Sequence, residues 1–258
     1  VQLGITPRAS TIDHFHGLLI RSRLLDAEEA QVLLKRWHRE RPADPEDAEH
    51  FTHWLIAQKA VTPYQILQLH RGHVDHCWVD EYKLLDRVAK GQMAGVYQAV
   101  HPLGQVVALK VLPPSRASHP NILARFRREA RMALRLKHPH VVRAFYFAET
   151  AELVYLVMEY LEGETLQEVL RQRGKLPVAE GVRLIHQALL GLQHLHEKRL
   201  VHRDLKPANL MLAGRPASNH TLHAAVKILD IGLGKDFLDD VGEEAAAGVH
   251  LTSEGSLL

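Results

Sequence analysis

The chain has 258 residues, 46% of them hydrophobic and 24% charged, with a formal net charge of +2. Those values belong to an ordinary globular protein with room for one large domain, or for a small and a larger one, and they leave no strong field directed at nucleic acid or a membrane surface. The single cysteine, Cys77, rules out a disulfide within the chain, and the 19 histidines are scattered, without H-E-x-x-H or zinc spacing.

Residues up to about 74 carry a helical pattern. A first helix is predicted around Ile12 to Leu24. Asp26 with Glu29 makes a capping box ahead of Leu33, Leu34 and Trp37. Arg41-Pro42-Ala43-Asp44 breaks that helix, and Asp44 with Pro45 offers the next start, followed by Phe51, Trp54, Leu55 and Gln58. Thr62-Pro63-Tyr64-Gln65 repeats the start signal before Ile66, Leu67 and Leu69. Four short helices in a small bundle follow, with the aromatic and leucine stripe as its core. No chemistry is evident there, so an interaction or regulatory module with its own protein partner is the expectation.

The pattern changes near Val79. Tyr82–Leu85, Gly95–Val100 and Val106–Leu112 are short, β-branched or apolar, and punctuated by Gly91 and the Pro102-Leu103-Gly104 turn, which predicts an antiparallel meander. A basic helix is expected over 121–137 and strands over 141–147 and 152–160. Further helices are expected over 165–173 and 178–198. No apolar run is long enough to span a bilayer, and no signal segment opens the chain. The start at Val1 and the end at Leu258 read as those of a fragment.

His202-Arg203-Asp204-Leu205-Lys206-Pro207-Ala208-Asn209 reads H-R-D-L-K-P-x-N and resembles the catalytic loop of eukaryotic-type (Hanks-type) protein kinases. Other motifs stand in the family's order around it. Val107-Ala108-Leu109-Lys110 resembles the V-A-I-K strand, and Glu129 matches its partner glutamate on the next helix. Leu156-Val157-Met158-Glu159-Tyr160-Leu161 resembles the hinge, and Val226 to Leu233 runs into Asp230-Ile231-Gly232 where the family has D-F-G. The glycine-rich loop is the weakest match. Ala89-Lys90-Gly91-Gln92-Met93-Ala94-Gly95-Val96 places alanine at the first and third glycines, which implies weaker or slower nucleotide handling.

The resemblance implies a role for each residue. Asp204 is the base that accepts the substrate hydroxyl proton, and Lys206 neutralises the γ-phosphate. Lys110, held by Glu129, reaches phosphate oxygens. Asn209 and Asp230 bind Mg²⁺, or Mn²⁺ in its place. Ala89, Gly91, Ala94 and Gly95 cover the ATP phosphates. Val96, Ala108 and Met211 sandwich the adenine, the Glu159 carbonyl and Leu161 amide meet its edge, and Met158 is the gatekeeper. His202 packs beneath the metal-binding loop. Arg203 pairs with a phosphate on the activation segment, for which Thr252, Ser253 and Ser256 are candidate acceptors. The segment 213–220 reads as a surface insertion.

The expected fold is α+β: a bilobal kinase-like domain over 81–258, with its N-lobe over about 81–158 and a partial C-lobe over about 162–258. It follows a small all-α domain over 1–76. The lower-lobe core looks incomplete, because no A-P-E follows the activation segment, and exposed apolar surface is expected. The expected function is ATP-dependent phosphorylation of Ser or Thr hydroxyls on protein substrates in bacterial signalling. A pseudokinase or nucleotide-binding scaffold, or an inactive truncated fragment, is the alternative. A cytoplasmic location is expected, with a membrane anchor after Leu258 left open.

Overall fold

The computed structural model describes residues 11–40, 47–90, 94–150, 152–214 and 224–230. The chain divides into two compact units, Val1–Pro114 with Ala148–Tyr160, and Ser115–Phe147 with Leu161–Leu258.

The first unit opens with four helices, α1 (Ile12–Arg21), α2 (Ala27–Glu40), α3 (Ala48–Ala57) and α4 (Pro63–His70). Side chains satisfy orphan N–H groups at their starts, a contribution of about 1 kcal/mol each. Thr11 caps α1 by accepting the His14 N–H at 3.3 Å. Asp26 and Glu29 exchange reciprocal bonds at 2.8 and 3.1 Å before α2. Thr62 and Gln65 form the capping box of α4. The cap of α3 is Asp47, which accepts from the His50 N–H at 2.9 Å. The sequence had suggested Asp44, which lies outside the described residues. A carboxylate one position before the first helical residue is what the orphan N–H groups require, and Asp47 holds that place.

The bundle core is aromatic. Phe15, Phe51, Leu55 and Trp37 are essentially inaccessible, and Trp54 is buried beside them. Trp37 lies 5.5 Å from Phe51 and 5.8 Å from Trp54, ring centre to ring centre. Each such side chain contributes about 1.5–3 kcal/mol through burial alone.

A sheet follows, built from β1 (Trp78–Val79), β2 (Tyr82–Lys90), β3 (Gly95–Val100), β4 (Val106–Leu112), β5 (Ala144–Glu149) and β6 (Val154–Glu159), in the order β1-β2-β3-β4-β6-β5. Alternation along the strands sends Leu84, Ala99, Val107, Leu109 and Val157 into one core. The pairing of β2 with β3 shifts register twice, between Leu84 and Asp86 and between Arg87 and Ala89. Each shift is a bulge that bends the strand and frees a ladder group.

The helices are joined to this sheet within the same unit. The Gln65 side chain donates to the Leu84 carbonyl at 2.7 Å, next to the first bulge. Leaving such a buried carbonyl without a partner would cost about 1–3 kcal/mol. The Tyr64 ring meets the Tyr97 ring edge-on at 6.0 Å, and its hydroxyl donates to the His76 carbonyl. Burial pushes the Tyr64 phenol well above its ordinary value. The Trp78 indole donates to the Ser22 carbonyl at 2.8 Å. Cys77 is fully buried at this seam, and burial, assisted by Asp75, pushes its thiol up to about 11.

Helix α5 (Pro114–Ala117) marks the passage to the second unit, which holds α6 (Pro120–Leu134), β7 (Gly163–Thr165), α7 (Leu166–Arg173), α8 (Val178–Glu197), β8 (Leu210–Ala213) and β9 (Ala225–Ile228). The last three strands form an antiparallel sheet in the order β7-β8-β9. Leu184, Ala188, Gly191 and Leu195 make the buried face of α8. Gly191 is there for space, since a Cβ at that position would lie 2.7 Å from the His140 carbonyl oxygen and 2.8 Å from Ile228 Cδ1. Val178, Val182, Ile185 and Leu189 form an exposed apolar row on the same helix. Arg173 grips the buried Glu180 carboxylate with two bonds, at 2.8 and 2.9 Å, and so ties α7 to α8. Val141, expected within a strand, makes a single parallel bridge to Ile228, and the Val142 N–H bonds the Ile228 carbonyl. The loop before β5 is thus spent on β9, and β5 begins only at Ala144. Among the described residues no helix is long and apolar enough to cross a membrane.

Candidate active site

The candidate residues fall in both units. In the first, strand register gathers them on one sheet face. Ala89 pairs with Val96, Val96 with Lys110, and Lys110 with Leu156. The neighbouring row is Gln98, Ala108 and Met158. Cross-strand partners share a face, so Ala89, Val96, Ala108, Lys110 and Met158 lie opposite the core face that carries Leu109 and Val157. Glu159 ends β6 beside Val107. Ala94 and Gly95 are buried at the start of β3. Gly91 lies outside the described residues. Gly95 has a steric reason to be glycine. The Tyr97 ring folds back over it, and a Cβ would meet Tyr97 Cε2 at 2.8 Å.

In the second unit the His202–Asn209 loop follows Leu200 and ends in a short 3-10 turn, Pro207–Asn209, that feeds β8. Asn209 is buried, and its amide nitrogen donates to the Asp204 carbonyl at 2.8 Å and to Asp204 Oδ2 at 3.2 Å. Lys206 Nζ lies 2.7 Å from the same Oδ2. The Lys206 ammonium, joined by Asn209, holds the Asp204 carboxyl below the ordinary carboxylate range, so it is ionised at neutral pH. His202 is buried, and its Nε2 donates to the Leu229 carbonyl at 3.0 Å, which fixes the hydrogen on Nε2. The Leu229 N–H donates to the Asn209 carbonyl at 2.8 Å. Residue 230 is therefore anchored through its neighbour to both His202 and Asn209.

Arg203 and Asp230 have left-handed backbones, with φ of 62° and 45°. Such residues cost on the order of 1–3 kcal/mol each and gather at functional sites. Met211 sits on β8, opposite Thr165 and Lys227. Leu161 is half-buried just beyond β6. Glu129 is buried on α6, and Arg125 donates to its Oε1 at 3.1 Å. Ile231, Gly232, Thr252, Ser253 and Ser256 lie outside the described residues.

The donor set suits a hard divalent cation. Asn209 commits its amide nitrogen to Asp204, so its oxygen, the atom a cation takes, is outside those bonds. Asp230 is exposed, follows Leu229, whose N–H donates to the Asn209 carbonyl, and adds a carboxylate. Mg²⁺ is held in this manner, by one or two oxygen side chains plus substrate phosphates and water. No group of three or more His, Cys, Asp or Glu among the described residues is placed to hold a metal ion.

Sequence reasoning missed Gln65, Tyr64 and Tyr97. Gln65 carries a helix-start signal, but its bond to Leu84 spans 19 positions and has no local signature. Arg125 was likewise unseen as a partner of Glu129, although its i, i+4 spacing is a signal that could have found it.

The chain is similar to known proteins. It is 35% identical over 181 residues to the probable serine/threonine-protein kinase pknA2 of Bifidobacterium longum, covering 69% of this chain and 22% of that one. It is 34% identical over 180 residues to the serine/threonine-protein kinase PknB of Mycobacterium leprae, covering 68% of this chain and 28% of that one. Against the serine/threonine-protein kinase PrkC of Bacillus subtilis it is 37% identical over 132 residues, 51% of this chain and 20% of that one. It therefore spans between a fifth and a third of the length of these relatives. Residues 82–249 match the protein kinase domain family. With that match over most of its length, and with the loop from His202 to Asn209 tied to residue 229 as described, the chain belongs to the protein kinase family and has its α+β fold.

Proposed function

We propose that the chain is the nucleotide-using part of a bacterial serine/threonine protein kinase, transferring the γ-phosphoryl group of ATP to Ser or Thr hydroxyls of proteins. The observation that carries this reading is the Asp204–Lys206–Asn209 cluster, with its 2.7 to 3.2 Å contacts and its ionised carboxylate. Phosphoryl transfer needs positioning and charge neutralisation more than covalent help. Asp204 orients the acceptor hydroxyl and takes its proton as the new O–P bond forms and the bond to the β–γ bridging oxygen breaks. Lys206 can leave Asp204 for the transferring group, since both side chains are about half exposed. Lys110, on its rigid strand, holds phosphate oxygens, with Glu129 as its carboxylate partner. Asn209 and Asp230 would hold Mg²⁺, which when bound offsets phosphate charge. Val96, Ala108, Met211 and the backbone of Glu159 and Leu161 would take the adenine. The protein works in the cytoplasm on this reading, with Thr252, Ser253 or Ser256 as autophosphorylation sites.

The test is transfer from γ-labelled ATP to casein by the full chain and by Asp204→Asn. Transfer that falls on the order of 10²–10⁴-fold in the variant supports the assignment. A second reading is favoured by the alanines at 89 and 94: a module that binds Mg-ATP and transfers nothing. Tight Mg-ATP binding with no labelled product in the unsubstituted chain would select it.

A further inference from the structure

The four N-terminal helices are built onto the back of the sheet whose front carries the candidate nucleotide residues. The Gln65 amide has two separate duties. Its oxygen accepts the Thr62 N–H at 2.9 Å and caps its own helix, while its nitrogen donates to Leu84 O at 2.7 Å on β2. Leu84 flanks the first of two bulges that lead to Ala89. Bulges re-aim a strand and increase its twist, so whatever holds the bulge sets the direction of the rest of β2. Tyr64, the preceding residue of α4, rests on Tyr97 of β3. The Arg87 guanidinium lies 5.7 Å from the same Tyr97 ring centre. Tyr97 in turn lies over Gly95. Adjacent residues of one helix thus hold both strands of the β2–β3 hairpin from behind, close to the positions where Ala89 pairs with Val96 and Val96 with Lys110 on the front face.

We propose that Gln65 is a positioning residue for nucleotide binding: with Tyr64 it locks the β2–β3 hairpin in the orientation that binds Mg-ATP, and the N-terminal helices thereby regulate nucleotide affinity. This rests on the kinase reading above. It gives the helices a role within the kinase segment itself.

The experiment compares Gln65→Met, which removes both amide bonds at near-constant volume, with Thr62→Ala, which removes a helix cap and leaves the bond to Leu84. Mg-ATP affinity is measured by calorimetric titration on the full chain. Amide hydrogen exchange is read at 86–89 and 96–98, with 184–195 as internal reference. Gln65→Met is expected to weaken Mg-ATP at least about fivefold and to speed exchange at both hairpin segments. Thr62→Ala is expected to lower thermal stability without changing affinity. Unchanged affinity in Gln65→Met, or equal weakening in Thr62→Ala, overturns the proposal. If Gln65→Met does not fold, Tyr64→Leu probes the same seam by the same criteria. An unsubstituted chain that binds no Mg-ATP would sink the kinase reading and the affinity role with it. Exchange at 86–89 and 96–98 that stays slow in a chain that does bind Mg-ATP would sink the coupling alone.

Discussion

On the proposed reading Asp204 would act through two unlike neighbours. Lys206 supplies charge and Asn209 supplies direction, and both converge on one carboxylate oxygen. Removing the charge should raise the Asp204 midpoint from its depressed position toward the ordinary 3.8. Carboxyl carbon NMR across acid pH would show that rise in Lys206→Met, with transfer reduced even at pH 7, where Asp204 stays ionised. Lys110, Glu129, Asp204, Lys206, Asn209 and Asp230 stood out as candidates in the sequence because each sits in a motif with fixed spacing. The direction of the Asn209 amide was not legible, nor were the left-handed backbones of Arg203 and Asp230. Those depend on partners brought close only by folding. Gly95 shows the same limit: its need to be glycine comes from the Tyr97 ring, which lies where a side chain would go.

At the scale of elements, α8 is the best case of a pattern read correctly and a detail hidden. The helix over 178–198 was expected from sequence, but the reason for a glycine at 191, a residue type unfavourable inside a helix, was not. Gly191 is the place where the helix meets the His140 backbone and Ile228. Gly191→Val should therefore destabilise the second unit by about 1–3 kcal/mol through overpacking, measured by urea unfolding. Beside this contact the His138 and His194 rings stack at 5.1 Å. Burial, then the nearby His194 and His140, holds His138 below its ordinary 6.5, against a weaker opposing pull from Glu197. The unfolded chain takes up a proton near 6.5 that the folded chain takes up only at lower pH. Stability from this group is thus complete above pH 6.5 and lost as pH falls below it. The thermal midpoint should drop between pH 7 and pH 5, and less steeply in His138→Gln. Helix starts were legible where a capping box repeats, as at Asp26 and Thr62, and slipped at α3, where the sequence reading took Asp44 and the cap is Asp47.

At the scale of the molecule, the family match begins at residue 82, whereas the compact unit that contains β2 includes the helices before it. Composition and periodicity could mark a change of character near Val79, but they could not reveal that Gln65 and Tyr64 reach across it. The exposed row Val178, Val182, Ile185 and Leu189 has a different consequence. Val182→Ser with Leu189→Ser should change folding stability by no more than about 0.5 kcal/mol per site while reducing self-association, as light scattering at rising concentration would show.

The seam between helices and sheet also comes with its own reporter. Cys77 is the chain's one cysteine, it is inaccessible, and its thiol is held near 11 by burial. A thiol reagent can therefore react only through an opened form. The labelling rate of the unsubstituted protein becomes a clock for how often the helices part from the strands. A nucleotide that tightens the hairpin from the front would slow that clock from the opposite side of the sheet.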